Sequence, residues 1–178
     1  MNQEINHLDI DDIFAYPTEG VWGLGGCSLS LKAFNKLNDL KGRQENQPII
    51  LITSNFEHIQ RWVDFDKLTD KQKTFYALKK SDFITFLLPA GPTAPSYCSF
   101  NGKIAFRLTN HPIVEKLSFY FQAPIFSTSA NITGHENLLN PTQIKEIFPS
   151  INIINGLVGD KKKASAVYDL QKDLWIRK

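Results

Sequence analysis

The hydrophobic positions along the chain fall into short runs that predict buried strands. Each run is about five residues long and is bounded by proline, asparagine, glycine or charge, as strands inside a sheet usually are. The runs lie at residues 13–16, 49–52, 83–88, 104–108, 124–126, 151–154, 166–170 and 174–177. Together they predict a sheet of short strands that draws on most of the chain.

Helical patterns lie between these runs. One apolar stripe at helical spacing is formed by Leu31, Phe34, Leu37 and Leu40. Capping residues indicate three more helix starts: Thr69 with Gln72, Asn110 before Pro112, and Asn140-Pro141 with Gln143, the last helix running to Phe148. Strands that alternate with helices predict an α/β fold, and several connections too short for crossover helices favour a mixed sheet.

Length, charge and cysteine content narrow the class of protein. The 178 residues have the size of one domain, so we expect a single domain over residues 1–178. The net charge of +2 excludes a nucleic-acid binder held by bulk charge alone. Cys27 and Cys98 are too few for a disulfide scaffold, and we interpret both as reduced thiols of a cytoplasmic protein. The polar N-terminus and the short apolar runs predict neither a signal peptide nor a membrane span.

Several familiar catalytic motifs are absent from the sequence. It has no Gly-x-x-x-x-Gly-Lys-Ser/Thr phosphate loop, no Gly-x-Ser-x-Gly elbow and no His-Glu-x-x-His. The four histidines show no metal-ligand spacing, and neither cysteine has an obvious catalytic partner. Any activity would therefore depend on the positioning of substrates and on electrostatics.

Two polar stretches in the first quarter of the chain carry candidate chemistry. Residues 16–26 run from a strand into Pro17-Thr18-Glu19 and then into glycines. They predict either a glycine-rich hairpin with bulges or a backbone that approaches a ligand closely. Lys41-Gly42-Arg43 ends the amphipathic helix. This basic pair either complements the helix dipole on a solvated face or is aimed at phosphate oxygens.

Two further stretches follow later strands. In residues 103–108, Arg107 lies either on the exposed face of a half-buried strand or inward toward a ligand, because arginine is rarely buried unpaired. Residues 127–131, Ser-Thr-Ser-Ala-Asn, bring several donors and acceptors to one strand end. They are typical of a site for carboxylate, phosphate or ribose, although hydroxyl-rich turns are also common.

The four stretches occur in an order that resembles the YrdC/TsaC family of threonylcarbamoyl-AMP synthases. The shared pattern is Tyr-Pro-Thr-Glu-x-x-x-Gly-x-Gly, Lys-x-Arg, Arg-x-x-x-His-Pro and Ser-Thr-Ser-Ala-Asn-x-x-Gly, followed by Ser-x-Val-x-Asp at residues 165–169. Members usually carry Pro-Gly-Pro before a threonine; here residues 80–84 differ from it and Thr85 holds the threonine position. The resemblance implies an α/β YrdC-like fold, a twisted open mixed sheet flanked by helices, with a basic concave cleft.

The resemblance also implies a reaction. The family joins L-threonine, bicarbonate or CO₂, and ATP into threonylcarbamoyl-AMP and releases diphosphate, a nucleotidyltransferase reaction in which Mg²⁺ accompanies ATP. The product is the precursor of N-threonylcarbamoyladenosine beside the anticodon of tRNAs that read codons beginning with adenine. The short form hands its product to a separate tRNA threonylcarbamoyl transferase complex, and RNA contact is possible.

Site residues are carried over from the family's motifs. The resemblance implies catalytic Lys41, Arg43 and Arg107; a threonine site of Thr18, Thr85 and Arg107; and a nucleotide site of Lys41, Arg43, Ser127, Ser129, Asn131 and Ser165. Two other functions stay open. One is a noncatalytic RNA-binding or ribosome-associated module, to which the lysine run 161–163 would add charge. The other is a carbamoyl-phosphate-handling domain, against which the short length argues.

Strand parity and exposure give three structural expectations. Ala105 and Arg107 should share one face of their strand, with Ile104, Phe106 and Leu108 on the buried face. Arg107 and the stretch from Ser127 to Asn131 should then line one cleft. We also expect Lys41→Ala and Arg43→Ala to weaken ATP binding while leaving thermal stability nearly intact.

Overall fold

The computed structural model describes residues 4–42, 49–161 and 163–178. Its strands are Ile13–Pro17 (β1), Trp22–Gly26 (β2), Ile50–Thr53 (β3), Ile84–Pro89 (β4), Ser99–Phe100 (β5), Lys103–Leu108 (β6), Ile125–Ser129 (β7), Asn152–Ile153 (β8), Ala166–Asp169 (β9) and Leu174–Arg177 (β10). Its α-helices are Leu31–Lys41 (α1), Phe56–Trp62 (α2), Asp70–Lys79 (α3), Pro112–Phe121 (α4) and Pro141–Ile147 (α5). All eight predicted strands are present, seven of them within a residue or two, while β7 continues three residues beyond its predicted end at residue 126. Strand β5 and helix α2 were not predicted, and β2 was predicted only in the hairpin alternative for residues 16–26.

The strands form one twisted, open, mixed sheet, as the sequence predicts. Its order is β10-β9-β4-β6-β3-β7-β2-β1-β8, with β5 paired to β6. The pairs β3–β6, β4–β9 and β1–β8 are parallel, and the pairs between them are antiparallel. Strands β8 and β9 are successive in the chain but lie in opposite halves of the sheet. The segment that joins them must therefore cross the sheet, and it forms one wall of the site described below.

Two apolar clusters pack on the sheet. The larger contains Ile104 and Phe106, and it takes its helical residues from α1, α2, α3 and α5. The smaller contains Ile113, Val114 and Leu117 of α4 with residues of β1, β3 and β7. Burial of apolar area at roughly 25 cal/mol per Å² makes these clusters the main source of stability. The inward position of Ile104 and Phe106 confirms the predicted parity of β6.

Side-chain caps fix the helix starts. Ser30 accepts from Ala33 N at 2.9 Å at the start of α1, and Gly42 ends that helix with φ +56°. The predicted capping box of α3 is confirmed. The prediction that Asn110 opens α4 is wrong by one residue, because the Nδ1 atom of His111 accepts from the backbone and Pro112 takes the first helical position.

The hairpin of β1 and β2 explains the glycine-rich stretch. Its register runs regularly from Ile13–Gly26 to Pro17–Trp22, without the expected bulges. A Cβ on Gly25 would lie 2.3 Å from the Phe126 carbonyl oxygen of β7. The absence of a side chain at Gly25 therefore allows β7 to pack closely against β2, and it does not serve the approach of a ligand. No helix in the described residues is long and apolar enough to cross a membrane.

Candidate active site

The site lies on the part of the sheet face that α4 leaves uncovered. On this face Ile52 and Ile125 pack against α4, whereas Ile50 lies in the adjacent open area. Ile50 is in register with both Ala105 and Ser127. Residues in register on neighbouring strands share a face, so β3, β6 and β7 together form a floor of side chains.

A cavity of about 320 Å³ opens above this floor. Its lining includes six of the predicted site residues: Thr18, Thr85, Arg107, Ser127, Ser129 and Ser165. Small-molecule sites commonly enclose about 300–1,000 Å³, so this volume suits an amino acid or part of a nucleotide. Arg107 and Ser127 lie on strands that flank β3, and both line this cavity, as the sequence led us to expect.

Arg107 is held inward by an ion pair and a ring. Its side chain is only 5% exposed, and its Nη1 atom lies 3.0 Å from Oε2 of Glu19. Its Cζ atom lies 4.9 Å from the centre of the Phe83 ring, a cation–π distance. Burial lowers the pKa of the guanidinium, and the Glu19 carboxylate opposes that effect. The alternative in which Arg107 points to solvent is therefore excluded.

Hydroxyl groups converge on the same cavity. The hydroxyls of Thr85 and Ser165 lie 2.8 Å apart and both residues are buried. The Thr18 hydroxyl donates to the Val21 carbonyl at 2.8 Å, which closes the turn between β1 and β2. Each hydroxyl oxygen keeps acceptor capacity. The cavity thus presents fixed hydrogen-bonding groups of both kinds.

Lys41 lies next to the cavity, inside a network at the end of β7. Its Nζ atom donates to the Ser129 carbonyl at 3.0 Å and to two oxygens of Asn131 at 2.5 Å. The Ser129 hydroxyl donates to Asn131 Oδ1 at 2.8 Å, and Ser129 also lines the cavity. Ser129 therefore connects the network to the cavity. Arg43 lies outside the described residues.

The burial of Lys41 overturns one expectation. The residue is 5% exposed, so it does not lie on a solvated helix face. Its ammonium group ties the end of α1 to the turn after β7, and removal of a buried, hydrogen-bonded charge is costly. The assumption that Lys41 is exposed is therefore wrong, and we now expect Lys41→Ala to lower stability as well as ATP binding.

The segment between β8 and β9 forms one wall of the site. We call residues 154–161 and 163–165 the strap. Its backbone donates from Gly159 to the Thr18 carbonyl at 3.0 Å and from Lys161 to the Glu19 carbonyl at 2.9 Å. Ser165, at the end of the strap, lines the cavity together with Thr18.

Two cations at the cavity were not foreseen. Lys163 of the strap and Arg177 of β10 both line it. Arg177 donates from Nε and Nη2 to the Ser165 carbonyl at 3.0 and 2.7 Å. A lysine run is typical of a solvated loop, and the position of Arg177 depends on an irregular β9–β10 register. Hydrophobic periodicity therefore predicts neither Lys163 nor Arg177 as a cavity residue.

Other chemistries find little support in the described residues. These contain no cluster of three or more His, Cys, Asp or Glu residues suited to a metal ion. Neither Cys27 nor Cys98 lines the cavity, and burial raises the pKa of both thiols. A chemistry of positioned substrates, without a thiolate nucleophile, is consistent with this arrangement.

Sequence comparison identifies relatives over nearly the whole chain. The family model for Sua5/YciO/YrdC, described as "Telomere recombination", matches residues 6–177. A threonylcarbamoyl-AMP synthase of Photorhabdus laumondii is 35% identical over 164 residues, which is 91% of this chain and 87% of the relative. A threonylcarbamoyl-AMP synthase of Yersinia enterocolitica is 34% identical and covers 95% of this chain and 90% of its own.

Solved structures with the same fold include E. coli YciO and P. abyssi Sua5. YciO superposes with a TM-score of 0.82 over 99% of this chain and 87% of its own, at 19% identity, which bears on the fold alone. Sua5 complexed with L-threonine has a TM-score of 0.79 and 26% identity over 90% of this chain. This chain spans about half of that protein, 48% of its length.

Proposed function

Because this chain belongs to the Sua5/YciO/YrdC family, we propose that it catalyses the synthesis of threonylcarbamoyl-AMP from L-threonine, bicarbonate or CO₂, and ATP, releasing diphosphate. The observation that carries the proposal is the cavity, which gathers a buried arginine and five hydroxyl-bearing residues that the resemblance implies for substrate binding. A structural neighbour, P. abyssi Sua5, has been solved with L-threonine.

The reaction needs no protein nucleophile. The amine of threonine adds to CO₂, forming a C–N bond and losing a proton, which gives a carbamate. A carbamate oxygen then attacks the α-phosphorus of ATP, and the bond to diphosphate breaks. Every reacting group is anionic or becomes so, which calls for cations and fixed donors around the reacting atoms.

The proposed threonine subsite is centred on Arg107. The guanidinium would pair with the threonine carboxylate, since arginine's planar fork matches a carboxylate in a bidentate fashion. Thr18 and Thr85 would hydrogen-bond the amine and hydroxyl. Ser165, which the resemblance implies for the nucleotide site, would join this subsite instead, because its hydroxyl lies 2.8 Å from that of Thr85. Because the cavity encloses only about 320 Å³, the triphosphate would extend out of it.

The proposed nucleotide subsite follows β7 outward. Ser127 and Ser129 would orient the α-phosphate, while Lys41 and Asn131, whose hydrogen bonds fix Ser129, would bind the outer phosphates, a role also proposed for Arg43. Lys163 and Arg177 add positive charge at the rim, which supports the proposal of a basic concave cleft. Mg²⁺ would enter with ATP, because this ion is usually held by substrate phosphates and water rather than by an all-protein cage.

The proposed context is tRNA modification. Threonylcarbamoyl-AMP would pass to a separate transferase complex that forms N-threonylcarbamoyladenosine on tRNA. A noncatalytic RNA-binding role could use the exposed Lys161 and Lys163, but it does not need the hydroxyl-lined cavity, so it is less well supported.

The experiment is diphosphate release from ATP, measured with and without L-threonine and bicarbonate, with the product identified by mass spectrometry. Release that requires both co-substrates, with formation of threonylcarbamoyl-AMP, is the expected result. ATP hydrolysis that is indifferent to threonine, or no turnover at all, would contradict the proposal.

A further inference from the structure

Glu19 is the partner of the buried arginine, yet neither the motif nor the resemblance assigns it a role. Its Oε2 atom lies 3.0 Å from Nη1 of Arg107. Within the described residues, this oxygen is buried and accepts no well-aligned hydrogen bond. The two charged groups are therefore close together, but no well-aligned hydrogen bond joins them.

The other oxygen of Glu19 is firmly anchored. Oε1 accepts a hydrogen bond from the Thr109 hydroxyl. The same hydroxyl oxygen accepts from His111 N at 3.0 Å, and Thr109 N donates to the Thr53 carbonyl at 3.0 Å. Thr109 is only 4% exposed. The carboxylate is therefore fixed from the side away from Arg107.

The backbone of Glu19 is anchored as well. Its carbonyl accepts from Lys161 N of the strap at 2.9 Å. With its main chain held by the strap and one oxygen held by Thr109, the side chain has few ways to move. It can therefore act as a fixed reference for the guanidinium beside it.

The ion pair lies between two cavities. Arg107 lines the cavity of the proposed site, whereas Glu19 lines a second, more open one of about 560 Å³, and Phe83 lines both. Arg107 carries five N–H donors. Its Nη1 atom meets Glu19, one face of the guanidinium meets Phe83, and the residue itself lines the first cavity.

Stability alone explains this arrangement poorly. Desolvation of two charges offsets much of their attraction, so a buried ion pair is often no more stable than apolar residues of the same shape. Orientation is a better explanation. A guanidinium that must meet a carboxylate in a bidentate fashion has to be fixed in angle as well as in position.

We propose that Glu19 is a positioning residue that orients Arg107, so that its guanidinium meets the carboxylate of L-threonine. This inference rests on the proposed function. Glu19 touches neither substrate; its effect passes through Arg107. Substitution of Glu19 should therefore weaken threonine binding selectively, and it should do so only while Arg107 is present.

The test compares Glu19→Gln, which keeps the shape and removes the charge, with Thr109→Val, which removes the anchor and leaves both charges in place. The dissociation constant of L-threonine is measured by calorimetry, and kcat and KM are measured by threonine-dependent diphosphate release. Glu19→Gln should weaken threonine binding about tenfold, because the charge that fixes the guanidinium is lost, and leave KM for ATP within about twofold. Thr109→Val should act in the same direction but less strongly.

A double-mutant cycle separates orientation from a general structural role. In an Arg107→Lys background, the effect of Glu19→Gln on threonine binding should shrink to less than about twofold, because the contact it supports is already lost. Three outcomes would each overturn the inference. The effects of the two substitutions could be additive, Glu19→Gln could leave threonine binding unchanged, or it could weaken the binding of both substrates equally with a large drop in Tm. A wild-type protein that neither binds threonine nor turns it over would instead overturn the proposed function, and this inference with it.

Discussion

Replacement of Gly20 by alanine should displace the strap and disable the threonine subsite without changing the identity of any residue that lines the cavity. A Cβ at Gly20 would lie 1.9 Å from the Lys163 carbonyl oxygen, whereas real contacts essentially never fall under 3.0 Å. The obstacle is backbone, so the strap must withdraw by about 1.1 Å, the difference between these two distances. A rotamer change cannot relieve the collision.

The displacement has two measurable consequences. Ser165 lies two residues beyond Lys163, and a misplacement of about 1 Å at positioning groups can cost about 100-fold in rate. We therefore expect kcat/KM for L-threonine to fall by about 100-fold in threonine-dependent diphosphate release. The strap's backbone hydrogen bonds to Thr18 and Glu19, each of about 1 kcal/mol, should also weaken. At about 2–4 °C per kcal/mol for a chain of this length, Tm should drop by a few degrees.

Gly102→Ala is the matched control. Gly102 has φ +71° and no atom within 4 Å of an added Cβ, so alanine there costs about 1–2 kcal/mol of backbone strain without a collision. It should lower Tm by a similar amount and leave kcat/KM near the wild-type value. A Gly20→Ala protein that keeps kcat/KM for threonine within about twofold of wild type would refute the reasoning, because a shift of that size in the strap would then be harmless.

Three further outcomes follow from buried groups and one surface carboxylate. Thr85→Val should raise KM for threonine more than KM for ATP and lower the free energy of unfolding by about 1–2 kcal/mol, since it orphans a buried partner hydroxyl; denaturant titration and steady-state kinetics check both. Lys41→Met should lower both ATP affinity and Tm, while the same change at exposed Lys71 should alter neither; equal Tm values for the two variants would contradict the network described above. The hydrogen bond from the α1 cap Ser30 lowers the pKa of Asp11 below its ordinary 3.8, so the stability that Asp11 contributes is present above that value and is lost as pH falls through the lower folded-state pKa. The difference in unfolding free energy between wild type and Asp11→Asn should accordingly vanish in acid, and a difference that persists there would refute the assignment.

Periodicity predicted the parts of the fold in which burial decides position. The parity of β6 put Arg107 beside Ala105 and opposite Phe106, and the structure confirms it. The stripe of α1 and the capping box of α3 were predictable for the same reason, because local pattern and burial agree there. Strand β2 was harder to predict, since glycine carries no apolar signal.

The parts of the site that sequence could not predict depend on contacts between distant segments. Lys163 reaches the cavity because the strap crosses the sheet, and the pairing of Glu19 with Arg107 spans 88 positions of sequence. Lys41 was expected to be exposed because basic residues usually end helices on a solvated face. Its burial depends on the turn after β7, which no local pattern encodes.

The course of the strap also determines when, during synthesis, the site can exist. Strands β1 to β8 are complete once residue 153 has emerged, but the wall that carries Lys163, Ser165 and Arg177 is made last. The hydrogen bond from Gly159 to Thr18 closes a loop of 141 residues, and such long-range contacts form slowly. A nascent chain can therefore hold most of its sheet while the face that α4 leaves bare stays open to other proteins. Until β9 pairs with β4, the edge of β4 is open, which is the condition under which edge pairing and aggregation occur.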